Sequence, residues 1–211
     1  MYVERSSEVT YLGVIMDESL TWTSHVKYVA KKMSCAMGRL SSIKYMVPYK
    51  TKKMIYYALI MPNLNYCNVS WSATSETNIN ILQRALNRCC RAVLNIKDIR
   101  SSTLPLYKKL NWLPVKELSL FNLGKEMYRC LNGLNNYDII FPPVHANIHN
   151  YPTRQGENFN LPQHNLTVAS KAFCFRGPSL WNDVPPDIKN CRTLSSFKLK
   201  YKTSLIQSLS Q

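Results

Sequence analysis

The sequence predicts a mainly α-helical fold: a short N-terminal β-hairpin, a helical bundle, and then a mostly helical C-terminal domain with a small β element. Three observations predict it. Apolar residues recur at three- and four-residue spacing over several long windows, which is the period of one helix face. Strand-like clustering is concentrated near the N-terminus, at Val9, Tyr11, Val14 and Ile15. With 211 residues, 45% of them hydrophobic, the chain can fill the core of one comfortable domain or two small ones, which argues against wholesale disorder.

In order along the chain, the N-terminal cluster predicts a buried or half-buried strand. Gly13 inside it marks a bulge or a close backbone approach. Asp17-Glu18-Ser19 is turn chemistry. Leu20 and Trp22 then alternate again, and Ser24 can cap a helix that begins at His25. That helix runs to Met46, with Val26, Val29, Ala30, Met33, Met37 and Leu40 on one stripe. Lys27, Tyr28, Lys31, Lys32 and Arg39 fall on the opposite arc. Tyr28 there either stacks on a sugar or base or simply meets solvent.

Val47-Pro48 ends this helix, because proline disfavours helix in the residue before it. A second helix is expected from Tyr49 to Ile60, with Met54, Ile55, Ala58 and Leu59 inward. The aromatics of the following segment, through Trp71, are expected in the core. A third helix spans about Glu76 to Ile96 with Ser75 as its cap. Ile79, Leu82, Leu86, Cys89, Cys90 and Val93 line its buried side, although two adjacent cysteines on a helix lead us to expect at most one inward. Arg84, Arg88 and Arg91 form a separate stripe.

Lys97 to Thr103 is polar and reads as a linker, which sets domain boundaries of 1–23, 24–98 and 99–211. Beyond it come Leu104–Leu110 and a helix from Val115 to about Asn132. That helix has Leu118, Phe121, Leu123 and Met127 as core candidates and is stopped by Gly133. Asn135 to Gln163 is proline-rich and loop-like. Residues 171–185 predict a strand, a Gly177-Pro178 turn and a short helix with Trp181 as a core anchor. A last helix, about Thr193 to Leu209, buries Leu194, Phe197, Tyr201 and Leu205 and exposes Lys198, Lys200 and Lys202.

Charge carries the functional signal. Twenty-seven Lys and Arg against 12 Asp and Glu give a net charge of +15, which points to a polyanionic partner, most simply nucleic acid. An anionic membrane surface competes, and a merely basic protein also satisfies the total. The distribution says more. From Ser19 to Ser75 there is no acidic residue, while Lys27, Lys31, Lys32, Arg39, Lys44, Lys50, Lys52 and Lys53 all lie there. Solubility tolerates mixed signs, so one-signed charge needs another reason. Lys50, Lys52 and Lys53 also oppose the dipole of their own helix, which either a nearby phosphate or distal packing would offset. The candidate nucleic-acid-binding residues are Lys27, Lys31, Lys32, Lys52, Lys53, Arg84 and Arg88.

Seven cysteines, an odd count, without an apolar leader predict free thiols in a reducing compartment, hence an intracellular protein, nuclear or cytoplasmic. The longest apolar run, Ile55 to Met61, is far shorter than the ~20 residues of a membrane span, so no membrane partner is expected.

Five phrases carry a family resemblance. They are Tyr11-Leu12-Gly13-Val14 followed by Asp17 and Leu20-x-Trp22-x-x-His25; Pro62-x-Leu64-x-Tyr66 with Trp71; Leu82-Gln83-Arg84-Ala85-x-x-Arg88; Leu110-x-Trp112-Leu113-Pro114; and Gly177-Pro178-x-Leu180-Trp181-Asn182-x-Val184-Pro185. In this order, over nearly the whole chain, they resemble the C-terminal part of reverse transcriptases of non-LTR retrotransposons, of the LINE type and the CR1/jockey-like branch. The resemblance implies a primer-grip-like hairpin over 1–23, a helical thumb over 24–98 and a C-terminal domain over 99–211. It puts Tyr11, Leu12 and Gly13 near the primer 3′ end. It implies an RNA template, a DNA primer, and the fingers and palm of the same polyprotein as partners.

A polymerase of that family needs clustered carboxylates to hold two metal ions. Asp17, Asp98, Asp138, Asp183 and Asp187 include no adjacent pair, so the chain alone is expected to be inactive, with no catalytic residue and no cofactor; magnesium is expected only in the missing palm. His145, His149, His164, Cys174 and Cys191 match no zinc spacing. The expectation is a fragment of a LINE-type RNA-directed DNA polymerase that binds the template–primer backbone without reading sequence and lacks the catalytic palm. The alternative is a repurposed stand-alone module that binds RNA or a protein.

Overall fold

The computed structural model describes residues 6–135, 139, 141–144, 158–161 and 167–209. Asp138, His145, His149 and His164 lie outside them, as does most of the proline-rich stretch. The chain divides into two compact units, Met1–Lys116 and Glu117–Gln211, so 99–116 fall in the first. As expected, the fold is mainly helical with a short N-terminal hairpin.

The hairpin pairs β1 (Glu8–Tyr11) with β2 (Val14–Asp17), antiparallel, with Tyr11 opposite Val14. Its turn is Leu12-Gly13, with φ of 47° and 79°, so both central residues are left-handed. Such turns match the twist of the flanking strands, and glycine adopts the conformation without strain. Gly13 is therefore the turn itself, not a bulge, and Asp17–Ser19 is a second turn that leads into the first helix. The strands are also less buried than expected. Val14 is covered, but Val9 is 50% and Tyr11 63% exposed. The reason is that the first helix packs against β2, the inner strand.

Asp17 organises that second turn. Its carboxylate accepts the backbone N–H of Trp22 at 2.8 Å, of Thr21 at 3.0 Å and of Ser19 at 3.2 Å, and the Thr21 hydroxyl at 3.2 Å. Burial raises its pKa, but the donors on Thr21, Trp22 and Ser19 outweigh that and hold it below the ordinary value. Helix α1 (Thr23–Ile43) thus starts from a left-handed Trp22, φ 63°. Ser24 does not cap it and donates instead to the Glu8 carboxylate. The buried stripe of α1 is His25, Val26, Val29, Met33, Ala36 and Leu40; Ala30 and Met37 of the expected stripe are only half-buried, and His25 and Ala36 take part instead.

The second helix departs from regularity. α2 (Tyr49–Ile55) runs through a π-helical turn (Tyr56–Ile60) into α3 (Met61–Asn65). The Met61 N–H bonds the Tyr56 carbonyl, five residues back. Pro62 lacks an N–H and its ring would crowd the carbonyl four residues earlier, so widening the helix just before it relieves the clash. The wide turn also resets the buried face. Lys52, Tyr56, Ile60 and Leu64 are buried at a strict spacing of four, whereas Met54 is 62% and Leu59 41% exposed. In a regular α-helix that spacing drifts by about 40° per step, and the π turn winds it back. The expected inward set of Met54, Ile55, Ala58 and Leu59 assumed regular winding.

After α4 (Asn68–Trp71), helix α5 (Glu76–Leu94) begins with the Ser75 hydroxyl accepting from the Asn78 N–H, as expected. Of the intervening aromatics, Trp71 is buried and Tyr66 is 51% exposed. Cys89 and Cys90 are both fully buried, contrary to the expectation of at most one. α5 packs against α1, α2 and α6 (Leu104–Leu110), so its buried arc is wide enough for adjacent residues. α5 and α6 close with Asn95 and Asn111 in the left-handed conformation, each in a six-to-one, five-to-two hydrogen-bond pair. Gln83 ties α5 onward: its amide donates to Tyr107 Oη at 2.8 Å and Asn87 Oδ1 at 2.7 Å, and its oxygen accepts the Val115 N–H at 2.8 Å. Trp112 stacks on Tyr56 with ring centroids 3.5 Å apart.

In the second unit, α7 (Val115–Leu131) ends at Gly133, φ 62°, in the same capping pattern. α8 (Thr167–Lys171), α9 (Phe173–Asp183), α10 (Pro186–Lys189) and α11 (Leu194–Ser208) follow. The core gathers Met127, Tyr128, Trp181, Ile188, Phe197 and Tyr201. The strand and glycine-proline turn expected at 171–178 are helical instead, with Gly177 and Pro178 inside α9 and buried. Tertiary burial overrides the local preference of both residues there. The β element of this unit is a bridge between Val144 and Phe159, and Asn182 clamps it by donating to the Phe159 carbonyl and accepting its N–H.

Glycine is required at Gly124, where a Cβ would sit 2.5 Å from Cε1 of the buried Tyr201 ring. Gly124→Ala is expected to lower stability by about 1–3 kcal/mol, read as a lower urea midpoint, and Gly124→Ala with Tyr201→Leu should recover much of the loss. An unchanged midpoint for the single variant would contradict this packing.

Candidate nucleic-acid interface

Because the apolar stripe of α1 faces the core, its opposite arc must face outward. Lys27, Lys31, Lys32 and Arg39 are exposed there, and Tyr28 is 39% exposed. None of these cations pairs with a carboxylate among the described residues. The Lys32 ammonium lies 4.4 Å from the centre of the Tyr28 ring. Two further pairs repeat the motif: Lys44 over Tyr45 at 4.9 Å and Lys53 over Tyr49 at 5.7 Å. A guanidinium or ammonium over an aromatic face is worth about 0.5–1 kcal/mol when exposed. Its larger consequence here is to hold a flat ring beside a positive charge.

Between α1 and the π turn lies a groove of about 400 Å³, lined by Tyr28, Lys31, Lys32, Arg39, Leu59 and Asn63 among others. Asn63 donates its amide to the Leu59 carbonyl at 2.7 Å. That bond fixes the amide orientation, since a carbonyl can accept only from the nitrogen.

The other expected residues divide. Arg84 and Arg88 are exposed on α5 and, like Lys53, have no carboxylate partner among the described residues. Lys52 is 3% exposed, and its Nζ donates to Asn95 Oδ1 at 2.8 Å, at the C-terminal end of α5. An ammonium is favoured beside that end of a helix dipole, so distal packing, not a phosphate, accounts for Lys52. Arg91 donates to the Ser101 carbonyl at 2.9 Å. Tyr11, Leu12 and Gly13 form the exposed hairpin tip, where Tyr66 Oη donates to the Leu12 carbonyl at 2.6 Å.

The sequence reading missed Tyr45, Tyr49, Leu59 and Asn63. The signal for the tyrosines was present as Tyr28–Lys32 and Tyr49–Lys53, four apart on helices, and as adjacent Lys44-Tyr45. Leu59 and Asn63 become groove residues only through the π turn. His25 was also missed. It is 2% exposed, accepts the Ile15 N–H on Nδ1 at 3.3 Å, packs edge-on against Trp71, and leaves Nε2 without a partner. Burial, with a smaller contribution from Lys32, lowers its pKa.

The chain is 26% identical over 119 residues to a "Probable RNA-directed DNA polymerase from transposon BS" of Drosophila melanogaster, covering 54% of this chain and 13% of that protein. It is 24% identical over 106 residues to the corresponding X-element protein of the same fly, covering 48% of this chain and 12% of that one. About half of this chain is therefore related to transposon RNA-directed DNA polymerases. It spans roughly an eighth of their length. No family model matches, and no solved structure matches.

Polymerase metal chemistry would need grouped carboxylates. Among the described residues no three His, Cys, Asp or Glu side chains come together to hold an ion, and Asp17 is committed to its turn. The donor set of the described residues does not fit a two-metal centre. Among the described residues no helix is long and apolar enough to cross a membrane.

Two outcomes follow. Lys52→Ala should destabilise the fold by about 1.5–3 kcal/mol, the scale of a hydrogen bond from a charged donor, in a denaturant titration; a value near zero would restore Lys52 to the surface set. A buried histidine with a depressed pKa resists protonation when folded but not when unfolded, so stability falls as pH drops below the ordinary value of 6.5. The melting temperature should decline from that point downward, and His25→Asn should flatten the decline. An identical decline in the variant would assign the effect to another group.

Proposed function

We propose that this chain is the backbone-gripping region of a non-LTR, LINE-type RNA-directed DNA polymerase, in which α1 to α5 form the thumb. Lys27, Lys31, Lys32, Lys53, Arg84 and Arg88 contact phosphates of an RNA template paired with a DNA primer. The observation that carries this reading is the outer arc of α1: exposed cations with no carboxylate partner among the described residues. The similarity to transposon RNA-directed DNA polymerases supports this choice of substrate class.

The action is positional. Phosphate contacts fix where a duplex lies without reading its sequence. The hairpin tip, with Tyr11, Leu12 and Gly13, sits beside the primer terminus, and its link to Tyr66 ties the tip to the segment after the π turn. Fingers and palm of the same polyprotein supply the metal-binding carboxylates, and this chain performs no catalytic step of its own.

Salt dependence tests the proposal. Each phosphate neutralised contributes about 0.9 to the slope of log K against log salt. Binding of an RNA–DNA hybrid, followed by fluorescence anisotropy, should weaken steeply with salt. Lys27→Gln, Lys31→Gln and Lys32→Gln together should reduce the slope by about 2–3. Equal affinity and slope in the triple variant would overturn the proposal.

A further inference from the structure

We propose that the groove between α1 and the π turn is a pocket for one unpaired nucleotide of a single strand that continues from the gripped duplex. The inference rests on the backbone-gripping reading and adds a substrate class to it: single-stranded nucleic acid, read by stacking.

Three features of the groove point past a phosphate-only surface. The first is its volume. A duplex backbone needs exposed charge alone, yet here an open groove of about 400 Å³ lies beside the cations, within the ~300–1,000 Å³ span of small-molecule sites. The second is its mixed lining. Tyr28 and Leu59 give flat and aliphatic apolar surface, while Lys31, Lys32 and Arg39 ring it with positive charge. A base has a π-face and a nucleotide has a phosphate, so this pairing of surfaces fits a nucleotide and exceeds what a bare phosphate needs. The Lys32 ammonium, 4.4 Å from the centre of the Tyr28 ring, covers one face and holds the ring in place, so a base stacks on the opposite face.

The third feature is the π turn itself. Such turns cost hydrogen-bond geometry and are frequent at functional sites. This one faces Leu59 outward, at 41% exposure, into the groove, where a regular helix would carry an inward residue. It also places Asn63 at the groove with its nitrogen committed to the Leu59 carbonyl. The amide oxygen is left as an acceptor for a base-edge amino group. Tyr45 and Tyr49, each beside a lysine, are exposed on the same acid-free span and offer further stacking surfaces for the strand.

The test uses the full chain and three labelled ligands: a blunt RNA–DNA hybrid, the same hybrid with an unpaired RNA extension, and the same hybrid with an unpaired DNA extension. Each extension carries 2-aminopurine at its first unpaired position. The extended ligands should bind about tenfold more tightly than the blunt one, the scale of one base–aromatic stack, with a change in 2-aminopurine emission. Tyr28→Ala should remove that advantage and the emission change while leaving blunt-hybrid affinity within twofold, and Tyr28→Phe should keep both. A preference for one extension identifies the strand that enters. If blunt and extended hybrids bind equally, or Tyr28→Ala weakens all three alike, the pocket is overturned and the backbone-gripping reading stands. If none binds at low salt, both fall.

Discussion

The first unit depends on α1 lying against α5 along one apolar stripe. Val26, Val29, Met33 and Leu40 are buried there to 3% exposure or less. At about 1.5–3 kcal/mol each, burial of these four is worth at most ~6–12 kcal/mol. Exposed charge pairs contribute about 0–1 kcal/mol each. The apolar stripe therefore decides how α1 is rotated, and the charges go wherever it sends them. Selection for a basic surface could act on the remaining arc without disturbing the core. That separation lets Lys27, Lys31, Lys32 and Arg39 stand together unopposed.

Polar side chains fix what the stripe does not. Asp17 gathers the turn before α1, His25 joins α1 to β2, and Lys52 with Asn95 joins α2 to the end of α5. Gln83 bridges α5, Tyr107 and the start of α7. Each lies where two elements meet, and each satisfies groups that would otherwise be orphaned. The hairpin tip and the basic groove are thus held at the two ends of one connected set of contacts, from Leu12 through Tyr66 and the π turn to α1. A substrate that needs its terminus and its backbone held together requires such a link between them.

Much of this was legible in the sequence, for reasons tied to particular residues. The stripe of α1, the Ser75 cap, the Gly133 stop and the anchor at Trp181 follow from periodicity and from backbone chemistry that few residues can supply. The outward basic arc was legible for the same reason, being the complement of the stripe. What failed was whatever depended on a non-local neighbour. Lys52 looked like surface charge because its partner, Asn95, is 43 positions away. Gly177-Pro178 looked like a turn because the local signal cannot register the core that buries both. The groove was invisible because it needs the π turn, and the turn shows only as a proline after a smooth apolar run. Gly13 was read as a bulge or a close backbone approach because a glycine inside an apolar run gives no local sign that it turns the chain, and the turn residues at Asp17 serve the helix entry instead.

The most direct test of the central claim is lysine footprinting. The chain is labelled with a limiting amount of an acetylating reagent, with and without an RNA–DNA hybrid at low salt, and acetylation at each lysine is read by mass spectrometry. The account predicts protection of Lys27, Lys31, Lys32 and Lys53, with unchanged labelling at Lys108 and Lys109, and slow labelling at buried Lys52 in both states. Uniform labelling of the α1 lysines with and without hybrid, under conditions where the hybrid is bound, would contradict it.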